Sequence, residues 1–140
     1  MGALLGAFEL VDLLGRGGMG EVWRARHNRL DRDVAVKIDL HPPAAEATQA
    51  FLHEVAIIAG LDHPNVARIL EHGTVPLEVQ RTTDGHFREG ARWLAMELAP
   101  GGSVQDRRPR DWPEIAFVMR QTLAGLGHAH ARGVVHRDIK

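Results

Sequence analysis

The first forty residues alternate between apolar and polar positions in short runs, a pattern that is typical of β-strands joined by tight turns. Three such runs cover residues 8–14, 21–26 and 33–40. The polar segment 27–32 between the last two runs has the composition of a hairpin turn. We therefore predict an antiparallel sheet at the start of the chain.

A helical pattern begins after the proline pair at residues 42–43, because proline interrupts strand pairing there. Apolar side chains then recur at Phe51, Val55 and Ile58, which is the spacing of one helix face. The pattern predicts a helix over residues 44–59.

Beyond residue 60, apolar segments again alternate with polar ones. Strands are predicted at residues 66–70 and 93–98, and the charged stretch 80–90 between them indicates a solvated loop without chemistry. A break at residues 100–103 indicates a hinge. A long helix is expected over residues 111–132, opened by a capping box between its first Asp and Glu. Its apolar face is formed by Ile115, Met119, Leu123 and Leu126.

Composition narrows the possible classes of protein. The chain has 140 residues, which corresponds to one domain at most. Its net charge of −1 gives no basic surface for nucleic acid, and no apolar run approaches the roughly 20 residues of a membrane-spanning helix. The absence of cysteine excludes a disulfide framework, a thiolate zinc site and a cysteine nucleophile, and it fits a cytoplasmic location.

Residues 15–20 carry the pattern Gly-x-Gly-x-x-Gly, which has two functional interpretations besides an ordinary tight turn. In a dinucleotide-binding fold the glycines open a helix, with an acidic residue about 20 positions later, and Asp39 lies near that distance. Residues 21–33 alternate instead of following a helical period. This favours the second interpretation, a hairpin whose backbone amides cover the phosphates of a nucleotide.

Three charged residues are candidates for chemistry, although each taken alone is more often an ordinary surface residue. Lys37 shares one face of its predicted strand with the small Ala35, which leaves room for a flat ring beside an ammonium. Glu54 borders the apolar face of the first helix and needs a cationic partner there, for which Lys37 is the candidate. Asp138 lies close to Lys140 in a segment that follows the long helix.

The order and spacing of these motifs resemble the eukaryotic-type Ser/Thr protein kinases, in the form common in bacteria, over residues 8–140. The resemblance implies an α+β, protein-kinase-like fold. Residues 1–98 would form a small antiparallel-sheet N-lobe with one helix, and residues 99–103 the hinge. Residues 104–140 would begin a helical C-lobe, truncated at the catalytic loop.

The resemblance also implies an ATP site. In that site Lys37 would hold the α- and β-phosphates, and Glu54 would orient Lys37. The implied ATP-binding residues are Leu14, Gly15, Arg16, Gly17, Gly18, Met19, Gly20, Val22, Ala35, Lys37, Met96, Glu97 and Ala99.

Further roles follow from the same resemblance. Met96 would be the gatekeeper, and the backbones of Glu97 and Ala99 would bind adenine. Asp138 would position the substrate hydroxyl and accept its proton, and Lys140 would stabilise charge on the transferred phosphoryl group. The family's Mg²⁺ ligands would lie beyond Lys140, so we expect no metal site within the chain.

The expected function is ATP-dependent transfer of the γ-phosphate to Ser or Thr hydroxyls of protein substrates, with the chain alone expected to be inactive. A non-catalytic nucleotide-binding or scaffolding module is the main alternative, and a dinucleotide-dependent oxidoreductase is a distant one. Nine histidines raise the question of zinc, but none shows the spacing of a helical zinc pair.

Overall fold

The computed structural model describes residues 2–18 and 20–136. Its strands are β1 (Leu4–Leu5), β2 (Phe8–Arg16), β3 (Gly20–His27), β4 (Arg32–Asp39), β5 (Ile69–Thr74) and β6 (Arg92–Glu97). Its helices are α1 (Ala45–Ala59), α2 (Leu77–Thr82), α3 (Val104–Arg107) and α4 (Trp112–His130). The strands pair in the order β1-β2-β3-β4-β6-β5, and each neighbouring pair is antiparallel.

The α+β architecture predicted from the sequence is confirmed, with small differences at the ends of the elements. The strands from Phe8 to Asp39, the helix that ends at Gly60 and the long helix are all present. Strand β5 starts at Ile69, later than the apolar pattern predicts. Strand β1 is too short to have given a pattern, and α3 was not predicted.

Strand β4 separates two environments, because its side chains alternate between the faces of the sheet. Val34, Val36 and Ile38 are 1%, 0% and 0% exposed and belong to the hydrophobic core. Ala35 and Lys37 point to the opposite face. The shared face that sequence alternation predicted for these two residues is therefore confirmed.

Strand β6 repeats this division. Trp93 and Ala95 belong to the core, whereas Leu94 and Met96 are half-buried on the other side. In the β4–β6 register Lys37 lies opposite Leu94, and Ala35 lies opposite Met96. We call the side of Ala35, Lys37, Leu94 and Met96 the cleft face, and the side of Val36 and Trp93 the core face.

The prediction of a solvated loop at residues 80–90 is partly confirmed: residues 83–90 form turns and are mostly exposed, but α2 extends to Thr82 and Phe87 is buried. The chain between β5 and β6 forms helix α2 and a compact turn that packs on the core face, where Val79 is 5% and Phe87 2% exposed. Its two ends join through a hydrogen bond from the Val75 N–H to the Ala91 carbonyl, 2.8 Å. The buried side chains stand far apart among charged residues, so they gave no periodic signal. We call residues 75–91 the β5–β6 connection.

Helix α4 begins with half of the predicted capping box. The Asp111 carboxylate accepts a hydrogen bond from the Glu114 N–H, 2.9 Å, but the Glu114 carboxylate accepts from the Arg110 N–H instead of returning to Asp111. A Cβ on Gly125 would lie 2.8 Å from the Asn65 carbonyl oxygen, so glycine is needed where the helix meets the preceding loop. In the described residues, no helix is both long and apolar enough to cross a bilayer.

The packing of the β5–β6 connection predicts the effect of Phe87→Ala on stability. Removing a buried aromatic ring leaves a cavity, so we expect the free energy of unfolding to fall by about 3–5 kcal/mol. Urea unfolding of the purified chain measures this loss. Arg88→Ala, at an exposed neighbouring position, is the matched control and should change stability little. Equal effects of the two substitutions would contradict the burial of this connection.

Candidate functional site

The glycine pattern lies at the hairpin between β2 and β3. The Gly17 N–H donates a hydrogen bond to the Gly20 carbonyl, 2.9 Å, which closes the turn. A Cβ on Gly20 would lie 2.3 Å from the carbonyl oxygen of Ile38, so the close approach of β4 requires glycine at this position.

The other glycines of the hairpin have no such internal reason. A Cβ at Gly15 or Gly18 would meet no atom of the described chain within 4 Å, and neither residue has a left-handed φ. Neither packing nor backbone conformation therefore demands glycine at these two positions. Their lack of a side chain leaves the backbone amides open to approach from outside, as an anionic ligand requires.

A cavity of about 530 Å³ brings three predicted site residues together. Gly18 at the tip of the hairpin, Lys37 on the cleft face and Glu54 on α1 all line it. These residues come from separate elements, so the fold assembles a glycine loop, an ammonium and a carboxylate around one space.

Lys37 and Glu54 share this cavity without touching. Both residues are exposed, and within residues 2–18 and 20–136 no ion pair of 4.0 Å or less joins them. Direct pairing of the two groups therefore stays a prediction.

Arg92 in the same cavity was not singled out by sequence reasoning. Its guanidinium binds the Asp39 carboxylate through Nε at 2.8 Å and Nη2 at 2.6 Å. It also donates to the Ala47 carbonyl at 3.2 Å and lies 4.5 Å from the centre of the Phe51 ring. Arg92 thus ties the first half of α1 to β4, by contacts that a sequence pattern cannot show because they join three elements.

The predicted adenine contacts lie at a different cavity, of about 520 Å³, which Glu97 and Ala99 line together with the start of β4. The Glu97 N–H donates to the Arg68 carbonyl at 3.0 Å. The Ala99 carbonyl accepts from the Gly102 N–H at 3.4 Å. Met96 lies opposite Ala35 on the cleft face and lines neither of these two cavities.

The remaining predicted residues divide into two groups. Leu14 is half exposed where the β2–β3 register shifts, and Val22 lies opposite Lys37, on the same face of the sheet. Arg16 belongs to the end of β2. Met19, Asp138 and Lys140 lie outside the described residues.

Glu21, directly after the last glycine, is the most buried charged side chain described and was also missed. It is 1% exposed, and its carboxylate contacts Arg16 Nε at 3.0 Å, His86 Nε2 at 3.0 Å and Trp23 Nε1 at 2.9 Å. Burial, the largest single influence, raises the pKa of Glu21. The hydrogen bonds from His86 and Trp23 and the charges of His86 and Arg16 together outweigh it, so the pKa lies below its usual value.

In the part of the chain that the structure describes, no group of three or more His, Cys, Asp or Glu side chains is arranged to hold a metal ion.

Comparison with known proteins gives a consistent family match. The sequence matches the model of the protein kinase domain over residues 8–140. It is 31% identical to serine/threonine-protein kinase PknJ of Mycobacterium tuberculosis, over 99% of this chain and 22% of that protein. It is 34% identical to serine/threonine-protein kinase pkn3 of Myxococcus xanthus, over 95% of this chain and 23% of that protein. The chain thus spans about a fifth of the length of these relatives.

The contacts of Glu21 predict a pH-dependent contribution to stability. Because its pKa is lowered in the folded state, the ionised carboxylate stabilises the fold above about pH 4.5, its ordinary value, and this contribution disappears as the pH falls through the folded-state pKa. We expect Glu21→Gln to cost about 1–3 kcal/mol at neutral pH, measured by urea unfolding. The difference from the wild type should shrink below pH 4.5.

Glu9→Gln provides the control for Glu21→Gln, because Glu9 lies on the neighbouring strand and is exposed. Its substitution should leave stability nearly unchanged at every pH. A loss for Glu21→Gln that stays constant from neutral to acid pH would contradict the role of the charge.

Proposed function

This chain belongs to the protein kinase family, and we propose that the protein transfers the γ-phosphate of ATP to serine or threonine hydroxyls of protein substrates. The observation that carries the proposal is the cavity of about 530 Å³ lined by Gly18, Lys37 and Glu54. The relatives PknJ and pkn3 are named serine/threonine-protein kinases, which supports the class of substrate.

The phosphates are bound at the glycine hairpin. Gly15 and Gly18 offer backbone amides without a side chain in the way. Lys37, exposed on the cleft face, supplies the positive charge that a polyphosphate requires. In this family's chemistry little covalent work falls to the protein, so positioning and electrostatic stabilisation account for most of the rate.

The adenine base is bound at the end of β6 by one backbone group each of Glu97 and Ala99. The other backbone group of each residue is already hydrogen-bonded within the chain. The Glu97 N–H is used by Arg68, so the Glu97 carbonyl is the group that accepts from the exocyclic amine of adenine. The Ala99 carbonyl is used by Gly102, so the Ala99 N–H is the group that donates to a ring nitrogen. One acceptor and one donor match the edge of adenine.

Glu54 acts on Lys37 in this proposal. The two groups line one cavity, and we propose that they pair when nucleotide is bound, which would fix the ammonium over the phosphates. Asp138 and Lys140 are assigned to the substrate hydroxyl and the transferred phosphoryl group on the sequence alone. When bound, the Mg²⁺ that protein kinases generally use would neutralise charge on the β- and γ-phosphates.

A nucleotide-binding module without catalysis is the second candidate. The separation of Lys37 and Glu54, which form no ion pair among the described residues, favours it. ATP binding by the full-length protein without transfer to any protein substrate would establish this candidate in place of the first.

The central prediction concerns Lys37→Met. Removing the ammonium should lower phosphoryl transfer by about 10²–10³-fold in the full-length protein, measured as radiolabel transfer from ATP to a generic protein substrate. Glu54→Gln should lower it less, because it misplaces the lysine without removing it. Arg29→Met, in the exposed turn between β3 and β4, is the control for loss of a cation and should keep wild-type activity. Wild-type turnover by Lys37→Met would refute the assignment.

A further prediction tests the adenine site through Met96→Ala. Shortening this side chain opposite Ala35 should allow ATP analogues with bulky substituents on the adenine amine to compete for binding, while the parent protein rejects them. Titration with a fluorescent nucleotide measures the competition. Met119→Ala, at an exposed position of α4, should behave like the parent. Equal rejection of the analogues by both variants would show that Met96 does not line the adenine pocket.

A further inference from the structure

The buried carboxylate of Glu21 joins the β5–β6 connection to the core-face side of the glycine hairpin. Glu21 follows Gly20 directly, and its side chain is turned to the core face, away from the cavity of Lys37. Its Oε2 atom lies 3.0 Å from His86 Nε2, although 65 positions separate the two residues in sequence. Its Oε1 atom lies 3.0 Å from Arg16 Nε, and Arg16 is the cross-strand partner of Glu21. Three segments thus meet at a single side chain.

The β5–β6 connection is built firmly enough to act as an anchor. Its base is closed by hydrogen bonds from Val75 to Ala91 and from Gly90 to Val75, 2.8 and 2.9 Å. Across its middle, the Gln80 side chain accepts from the Glu89 N–H at 2.6 Å. A closed, hydrogen-bonded loop of this kind has lost most of its conformational freedom in advance.

His86 is held in place by its neighbours. Its backbone N–H donates a hydrogen bond to the Thr83 carbonyl at 2.9 Å. Its ring contacts the Phe87 ring edge to face, with 4.6 Å between the ring centres. Phe87 is 2% exposed and contacts Trp23 of β3 in the same geometry at 6.0 Å. The imidazole is therefore presented to Glu21 by a packed aromatic group.

We propose that His86 and Glu21 are positioning residues, which hold the glycine hairpin in the conformation that receives the nucleotide phosphates. The inference rests on the proposed function, because the hairpin is assigned to the phosphates there. Neither side chain touches the nucleotide; Glu21 acts through Arg16 and through the backbone that it shares with Gly20. A hairpin ordered before binding has less entropy to lose when ATP binds, so the interaction lowers the KM for ATP.

The experiment compares His86→Ala with His86→Gln, which keeps an N–H donor for Glu21. In the full-length protein, His86→Ala should raise the KM for ATP by about 5–10-fold and leave kcat within about 2-fold. His86→Gln should restore most of the lost affinity. Glu21→Gln should raise the KM for ATP in the same way. The KM of the double variant Glu21→Gln/His86→Ala should be no higher than that of whichever single variant has the higher KM. His130→Ala, at an exposed position of α4, is the matched histidine control.

Amide hydrogen exchange without nucleotide provides a second measurement, which does not depend on activity. His86→Ala should speed exchange in residues 14–22 and leave β4 and β6 protected. Faster exchange throughout the sheet would show a merely structural role and overturn the proposal, as would unchanged exchange and KM. A wild-type protein that fails to bind ATP would refute the proposed function, whereas the exchange data would still decide whether His86 holds the hairpin.

Discussion

The register between β4 and β6 determines on which side of the sheet the chemistry lies. Val36 faces Ala95 in the core, and Lys37 faces Leu94 on the opposite side. Because side chains alternate, a slip of one residue would bury the Lys37 ammonium among apolar side chains and expose Val36. Burial of one row of aliphatic side chains therefore orients the neighbouring row toward the cavity, and the position of Lys37 depends on hydrophobic packing behind it.

The glycine hairpin has two unlike sides. At Gly15 and Gly18 there is no side chain, and a Cβ would meet no described atom within 4 Å, whereas Glu21 on the core face carries a buried charge that contacts Arg16 and His86. Desolvation offsets part of the attraction between this buried carboxylate and its partners, so its net stabilisation of the fold is smaller than its number of contacts suggests. The hydrogen bonds of Glu21 also have fixed directions, so they select one arrangement of the hairpin, which apolar contacts alone would not specify.

The periodicity of the sequence predicted the strands and helices, because these depend on residues that are close together along the chain. Alternation identified β2, β3 and β4 and the shared face of Ala35 and Lys37, and helical spacing identified α1 and α4. The β5–β6 connection could not be found in this way, because Phe87 is buried against Trp23 and the sheet, which are distant from it in sequence. The partners of Glu21 and Arg92 were missed for the same reason. Sequence placed Lys37 and Glu54 at one site, but their distance depends on how α1 is seated.

The contacts of Arg92 with α1 determine which movements of that helix are easy. They hold the Ala47 carbonyl and the Phe51 ring, both in the first half of Ala45–Ala59. Sliding the helix along its axis or tilting it about Phe51 would disturb the hydrogen bond to Ala47, which lies four residues, about 6 Å, from that ring. Glu54 lies three residues beyond Phe51 on the other side, about 4.5 Å along the axis. The contacts of Arg92 therefore also limit how far the Glu54 carboxylate can move toward Lys37.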